Sequence, residues 1–257
     1  QDINSATQGE LITASDGTVY PKKIIIHQGG GGPAMFPVRG KPFAADFNDD
    51  GATDIGLQAN TTNDILIILT NKTSATYWLY GLTGKILVGD FNGDGLMDIA
   101  SYDSTQLKVK VALNKGNSFD TPTSWLENFN PPSEVSTSDC NNDGLTDLIY
   151  YDKTNGQINV VYCDSNKFLT PQVYQVGFSL KDPDVILQSS DYNGDGTPDF
   201  CVFNPYTLKT EYAYSSPNFV DLLCRTENGV GGSLSIKYTS SSIYNNYDTL
   251  GRPNLPF

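Results

Sequence analysis

Aspartate, asparagine and glycine recur at one fixed spacing in four places along this 257-residue chain. The copies are Asp46-Phe47-Asn48-Asp49-Asp50-Gly51-Ala52-Thr53-Asp54, Asp90-Phe91-Asn92-Gly93-Asp94-Gly95-Leu96-Met97-Asp98, Asp139-Cys140-Asn141-Asn142-Asp143-Gly144-Leu145-Thr146-Asp147 and Asp191-Tyr192-Asn193-Gly194-Asp195-Gly196-Thr197-Pro198-Asp199. Each reads Asp-x-Asn-x-Asp-Gly-x-x-Asp. Oxygen-bearing side chains at alternate positions converge on one centre when the chain curls, and the glycine allows the sharp turn. Hard oxygens in that number suit Ca²⁺. The expected ligands are the side chains at positions one, three, five and nine and the backbone carbonyl at seven. These are Asp46, Asn48, Asp50, Ala52 and Asp54; Asp90, Asn92, Asp94, Leu96 and Asp98; Asp139, Asn141, Asp143, Leu145 and Asp147; and Asp191, Asn193, Asp195, Thr197 and Asp199. Up to four Ca²⁺ ions are expected, one per loop.

Two other readings compete with this one. An EF-hand requires a bidentate Glu at position twelve and flanking helices, but the twelfth residues are Leu57, Ser101, Tyr150 and Val202, each within or beside an apolar stretch. Ordinary turn chemistry also favours Asp, Asn and Gly; one copy would fit that explanation, whereas four copies in register argue for a shared ligand. Charge agrees. The chain carries 16 Lys+Arg against 29 Asp+Glu, and four Ca²⁺ would bring its formal charge from −13 to −5. Without metal, three carboxylates crowded into each loop repel one another, so folding and calcium binding are expected to be coupled.

The elements that position these loops are strands. Successive copies begin 44, 49 and 52 residues apart, the length of a small antiparallel sheet of four short strands. Downstream of each loop lies an alternating or continuous apolar run: 64–69, 107–113, 158–162 and 210–214. No capped helical periodicity appears. The fold class expected is all-β, a β-propeller of four-stranded blades, five in number with six as the alternative.

These residues resemble FG-GAP repeats, also called VCBS repeats, which form calcium-loaded propeller blades. The likeness is fullest where Gly89-Asp90-Phe91-Asn92-Gly93-Asp94-Gly95-Leu96-Met97-Asp98-Ile99 leads to Val109-Lys110-Val111-Ala112-Leu113-Asn114-Lys115-Gly116-Asn117-Ser118-Phe119. The resemblance implies that each loop joins the first and second strands of a blade, giving blades at about 36–82, 83–131, 132–182 and 183–225 of a single propeller spanning 1–257. Strand-like segments at Thr18-Val19-Tyr20 and Lys23-Ile24-Ile25-Ile26-His27, and at Ser233-Leu234-Ser235-Ile236-Lys237-Tyr238, would then supply a composite closing blade from 1–35 and 226–257. Near the C-terminus, Asn228-Gly229-Val230-Gly231-Gly232-Ser233-Leu234-Ser235-Ile236-Lys237-Tyr238 followed by Asn254-Leu255-Pro256-Phe257 resembles the segment after the propeller in the Tc toxin B component and SpvB/Rhs-like proteins. A Gly-rich hairpin turn is the plainer reading of that stretch.

Other chemistry is poorly supplied. Acidic composition and the lack of a basic stripe argue against nucleic-acid binding, and the longest aliphatic run, Ile65-Leu66-Ile67-Ile68-Leu69, is far too short to span a bilayer. A lone His27, the absence of HExxH, GxSxG and Walker strings, and a Gly29-Gly30-Gly31-Gly32-Pro33 run without its lysine point away from an enzyme. Cys140, Cys163, Cys201 and Cys224 include no CxxC pair; two disulfides or four buried thiols both fit. Asn60 and Asn71 head Asn-x-Thr sequons and are possible glycosylation sites. The chain begins at Gln1 with no basic n-region or apolar h-region, as expected of a processed secreted protein or of a piece of a longer one. Together these features point to a secreted, toxin-associated protein recognition module, with a partner that is another protein or a cell-surface glycan. A propeller lectin, using Trp78, Trp125 or the tyrosines to stack on sugars, is the alternative.

Overall fold

The computed structural model describes residues 39–70, 75–182, 184–215, 223 and 225–237, together with strand backbones at β1 (Leu11–Thr13), β2 (Val19–Pro21), β3 (Ile24–Ile26) and β4 (Ala34–Phe36). Every regular element among them is a strand. The chain divides into two compact units, Gln1–Asn130 and Pro131–Phe257.

In the first unit, β5 (Gly40–Ala45), β6 (Asp54–Ala59), β7 (Ile65–Ile68) and β8 (Ala75–Leu79) form one antiparallel meander. A second contains β9 (Lys85–Gly89), β10 (Asp98–Asp103), β11 (Lys108–Ala112) and β12 (Thr123–Glu127). In the second unit, β13 (Val135–Ser138), β14 (Asp147–Asp152), β15 (Gln157–Val161) and β16 (Gln172–Val176) form a third blade. β17 (Ile186–Ser190), β18 (Asp199–Phe203) and β19 (Thr210–Ala213) form a fourth with three described strands. This is an all-β, propeller-type fold.

The burial gradient across each blade accounts for the sequence pattern. All of β7 is buried, as is almost all of β10, whereas the outer strands β12 and β16 are largely exposed. A middle strand covered on both faces reads as a continuous apolar run, which is why Ile65-Leu66-Ile67-Ile68 lacks a period of two. In each four-stranded blade the pairing of the third strand with the fourth shifts register at one equivalent place, opposite Ile65/Leu66, Val109/Lys110 and Ile158/Asn159, where the fourth strand has one extra residue: Trp78, Trp125 and Tyr174. The extra residue bends the fourth strand and increases its twist.

Each unit has its own core. Phe47, Ile65, Ile67, Trp78, Ile99 and Phe119 pack together in the first. Cys140, Ile149, Tyr151, Ile158, Phe178 and Phe200 do so in the second. The aromatic rings meet edge to face, Phe47 against Phe119 at 5.9 Å and Tyr151 against Phe178 at 5.9 Å, the arrangement their quadrupoles favour.

Four blades stand among the described residues, one fewer than the five expected from the sequence. Near the chain ends the described strands pair with their sequence neighbours: β1 with β2, β3 with β4, and β20 (Arg225–Glu227) with β21 (Ser233–Ser235). Short loops make such local hairpins the cheapest pairing in chain entropy. The plain Gly-rich reading of 228–232 fits here, since Gly229 and Gly231 turn the β20–β21 hairpin at φ of 74° and 95°. The remainder of the composite blade, including His27, the Gly29–Pro33 run and Tyr238 onward, lies outside the described residues.

Candidate metal centres

Each acidic loop begins as the first strand of a blade ends, and its ninth residue is the first of the next strand: Asp54 of β6, Asp98 of β10, Asp147 of β14 and Asp199 of β18. The loops share one backbone path. Position six is left-handed in all four, with φ of 82° at Gly51, 86° at Gly95, 84° at Gly144 and 85° at Gly196. Position four is left-handed as well, at Asp49 (56°), Gly93 (77°), Asn142 (56°) and Gly194 (74°). Only Gly, Asn and Asp adopt that conformation readily, which explains why a position with no ligand role in the repeat still holds nothing else. This is the signal in the sequence that a ligand count alone passes over.

The side chains then fold inward on the backbone. The position-one carboxylate accepts the N–H of the glycine at six: Gly51 to Asp46 at 2.7 Å, Gly95 to Asp90 at 2.8 Å, Gly144 to Asp139 at 3.0 Å and Gly196 to Asp191 at 2.9 Å. The position-three carboxamide accepts the N–H of residue five through its oxygen and donates through its nitrogen to the residue-five carboxylate. In the second loop these bonds are Asp94 N–H to Asn92 Oδ1 at 3.0 Å and Asn92 Nδ2 to Asp94 Oδ2 at 2.9 Å. The other three loops repeat the pair. Positions one, three and five therefore gather around the turn before any ion is considered.

Position nine differs. Asp54, Asp98, Asp147 and Asp199 are each fully buried, and both oxygens of each accept backbone N–H groups. One donor is residue two of the same loop: Phe47 at 3.1 Å, Phe91 at 3.0 Å, Cys140 at 3.0 Å and Tyr192 at 3.0 Å. The other lies just past the third strand of the blade: Thr70 at 2.9 Å, Asn114 at 2.7 Å, Cys163 at 2.8 Å and Ser215 at 2.8 Å. The carboxylate thereby ties the start of the loop to the end of a strand sixteen residues downstream. At Asp98 and Asp147 burial raises the proton affinity and the two backbone donors oppose that only in part: Asp98 moves from an ordinary 3.8 to about 6 and Asp147 to about 7.

The donor set fits a hard cation. Each loop brings three carboxylates, an amide oxygen and a carbonyl within nine residues, and the ion pairs at Lys108–Glu127, Lys115–Asp120, Lys167–Asp164 and Arg225–Glu227 involve none of these carboxylates. Among the described residues no three acidic, His or Cys side chains alone converge to enclose an ion. A cation here would need the amide and carbonyl oxygens besides the carboxylates.

With this geometry in place, comparison with known proteins shows that residues 90–150 match the FG-GAP-like repeat family. No curated protein sequence matches the chain. Among solved structures, the Photorhabdus luminescens Tc holotoxin pore aligns with a TM-score of 0.52 at 19% identity, over 82% of this chain and 11% of that one. The V. cholerae biofilm matrix protein Bap1 aligns with a TM-score of 0.36 at 21% identity, over 74% of this chain and 33% of that one. This chain thus spans a small part of the toxin chain and a third of Bap1; the toxin likeness is one of fold. The FG-GAP-like repeat covers the second loop, the second blade from β10 onward and the third loop, and the first and fourth loops reproduce its hydrogen bonds.

Around the repeats, other expected sites resolve differently. Trp78 is core, 5% exposed and packed against Phe47 and Phe119, so it is not available to stack on a sugar. The exposed aromatics are elsewhere, including Tyr77 and Tyr80, whose rings stack at 5.8 Å. Cys140, Cys163 and Cys201 form no disulfide with one another; burial pushes the Cys140 thiol far up and the Cys163 thiol to about 12, so neither is a nucleophile at neutral pH. Cys224 and the sequon residue Asn71 lie outside the described residues, while Asn60 is exposed in the turn after β6. In the second unit, Ser179, Lys181, Lys209 and Glu211 line an open polar groove of about 530 Å³ that nothing in the sequence announces.

Proposed function

We propose that this chain is a non-enzymatic, calcium-stabilised propeller module of a secreted or toxin-associated protein, used for recognition or docking of a protein partner. The observation that carries the reading is the identity of the four loops. The same left-handed residues, the same carboxylate-to-amide bonds and the same buried ninth aspartate recur at each. The ions would be held by positions one, three and five, the position-seven carbonyl and the position-nine carboxylate. Bound calcium supplies positive charge that offsets the carboxylate repulsion; it performs no chemistry on a substrate. The likeness in fold to part of a Tc holotoxin supports a role within a larger assembly.

Extracellular modules hold calcium with dissociation constants of about 10⁻⁴–10⁻³ M. Filling a site to 100 times its constant adds about 2.7 kcal/mol, and four such sites would match the net stability of a typical domain. The test is metal analysis by mass spectrometry with thermal unfolding in calcium and in excess chelator. Four ions per chain and a large fall in melting temperature on chelation are expected. No bound metal and an unchanged melting temperature would leave the aspartates as turn formers. Glycan binding is a second reading, supported by the exposed Tyr77–Tyr80 stack, and a glycan array on the calcium-loaded protein decides it.

A further inference from the structure

Residue two of each loop is held by its N–H, through the buried ninth aspartate of the same loop. In both units the preceding loop's second residue is also held by its carbonyl: in the first unit from the following blade, in the second from the fourth strand of its own blade. In the first unit Asn114, 1% exposed, donates from Nδ2 to Phe47 O in the first loop at 2.8 Å and to Met97 O in the second at 2.9 Å, while its own N–H binds Asp98. One buried side chain therefore touches two loops.

The second unit makes the corresponding link differently. Tyr174 donates its hydroxyl hydrogen to Cys140 O in the third loop at 3.2 Å, and the same hydroxyl lies 3.5 Å from the Ser215 hydroxyl. Ser215 stands where Asn114 stands in the first unit: its N–H binds Asp199, and its hydroxyl donates to Pro198 O of the fourth loop at 2.7 Å. A further bond runs between the loops themselves, from Asn142 Nδ2 at position four of the third to Gly196 O at position six of the fourth, 3.1 Å. Gly196 immediately precedes Thr197, whose carbonyl belongs to the expected ligand set.

From these bonds we infer that the four loops act as two coupled pairs, first with second and third with fourth, so that a divalent cation entering one loop of a pair raises the affinity of its partner. The inference rests on the calcium reading above. Its physical basis is shared ordering. Fixing one loop's backbone fixes a carbonyl that the neighbour's hydrogen bonds also need, so the second ion meets a loop whose ordering cost has been partly met. Coupling of this kind is reciprocal.

The experiment is calcium titration by calorimetry on chelator-stripped protein, with calcium-dependent hydrogen exchange of residues 191–199 and 90–98 reading the fourth and second loops. Asp143→Asn disables the third loop, and it is expected to weaken calcium protection of the fourth by about five-fold or more. Combining it with Asn142→Gly and Tyr174→Phe should abolish that secondary loss. Gly keeps the left-handed turn and Phe keeps the ring against Phe200, so this variant folds. Asp50→Asn should weaken the second loop in the same way, and Asn114→Ser, which keeps a hydroxyl for Met97 O as Ser215 does for Pro198 O, should remove the effect. Unchanged affinity of the fourth and second loops in Asp143→Asn and Asp50→Asn would overturn the coupling while leaving calcium binding intact. Absence of any calcium binding would overturn both.

Discussion

Two chemically identical aspartates do different work within one loop. Asp94 is exposed and bonded to its own turn, through Leu96 N–H and the Asn92 carboxamide. Asp98, four residues on, is buried with both oxygens given to backbone donors from separate parts of the blade. Asp98→Asn replaces one acceptor by an NH₂ group and leaves a buried N–H unmatched, which costs about 1–3 kcal/mol. Its melting temperature should fall by several degrees in chelator, and in calcium it should lose the gain of the second loop as well, since position nine is also an expected ligand. Asp94→Asn breaks no buried bond, so in chelator it should stay within about 0.5 kcal/mol of the parent and lose chiefly the gain that calcium brings. Thermal unfolding of both variants in the two buffers checks this. A Asp98→Asn variant that is weakened only when calcium is present would mean that the ninth residue is a ligand first and a structural tie second.

At the scale of the element, what could be read in the sequence follows from what repeats. The strand after each loop was legible because Asp54, Asp98, Asp147 and Asp199 each open an apolar stretch, and the third strands were legible from their runs. The tie at residue sixteen was not, because Thr70, Asn114, Cys163 and Ser215 share no side-chain chemistry; the bond uses their backbone N–H. Burial of two of the aspartates that make these ties also sets a pH dependence. The folded state raises Asp98 to about 6 and Asp147 to about 7, so it binds protons more tightly than the unfolded chain. Their contribution is fully present below the ordinary carboxylate value near 4 and is lost as pH climbs through about 6 to 7. Asp103 and Asp152 are shifted down, so their contribution fades only as pH falls to 4 and below. Between these windows the raised pair dominates, and chelated protein should melt higher at about pH 5 than at about pH 7.5. Calcium favours the ionised carboxylates, so the loaded protein should show a weaker or reversed trend. A chelated protein that melts higher at the more alkaline pH would show that these buried carboxylates are not the groups that govern it.

For the molecule as a whole, the same repeats dominate the charge. Twelve aspartates at the expected ligand positions account for much of a formal charge of −13, and the chain has only 16 basic residues to set against them. The sequence made this balance and the blade fold legible, because both depend on sums and periods. It did not reveal where Trp78 would go, since an aromatic residue on a strand reads the same whether it faces solvent or Phe119. It offered the β20–β21 hairpin only as one of two readings of the Gly-rich stretch, because whether Ser233–Ser235 joins a neighbour or a distant strand depends on which lies nearest. The loop charge has a consequence for the entire chain. Without metal, carboxylate repulsion acts across exposed loops where salt can reach it, and the screening length shrinks from about 30 Å at 0.01 M to about 3 Å at 1 M. Chelated protein should therefore gain melting temperature steadily with NaCl. With four ions bound the formal charge falls to −5, so the calcium-loaded protein should show a much shallower slope. Thermal unfolding across a NaCl series, with and without chelator, measures both slopes. Equal slopes would mean that the loop carboxylates are already compensated within the hydrogen-bonded turns, and that stabilisation by calcium comes from ordering the loops and not from neutralising them.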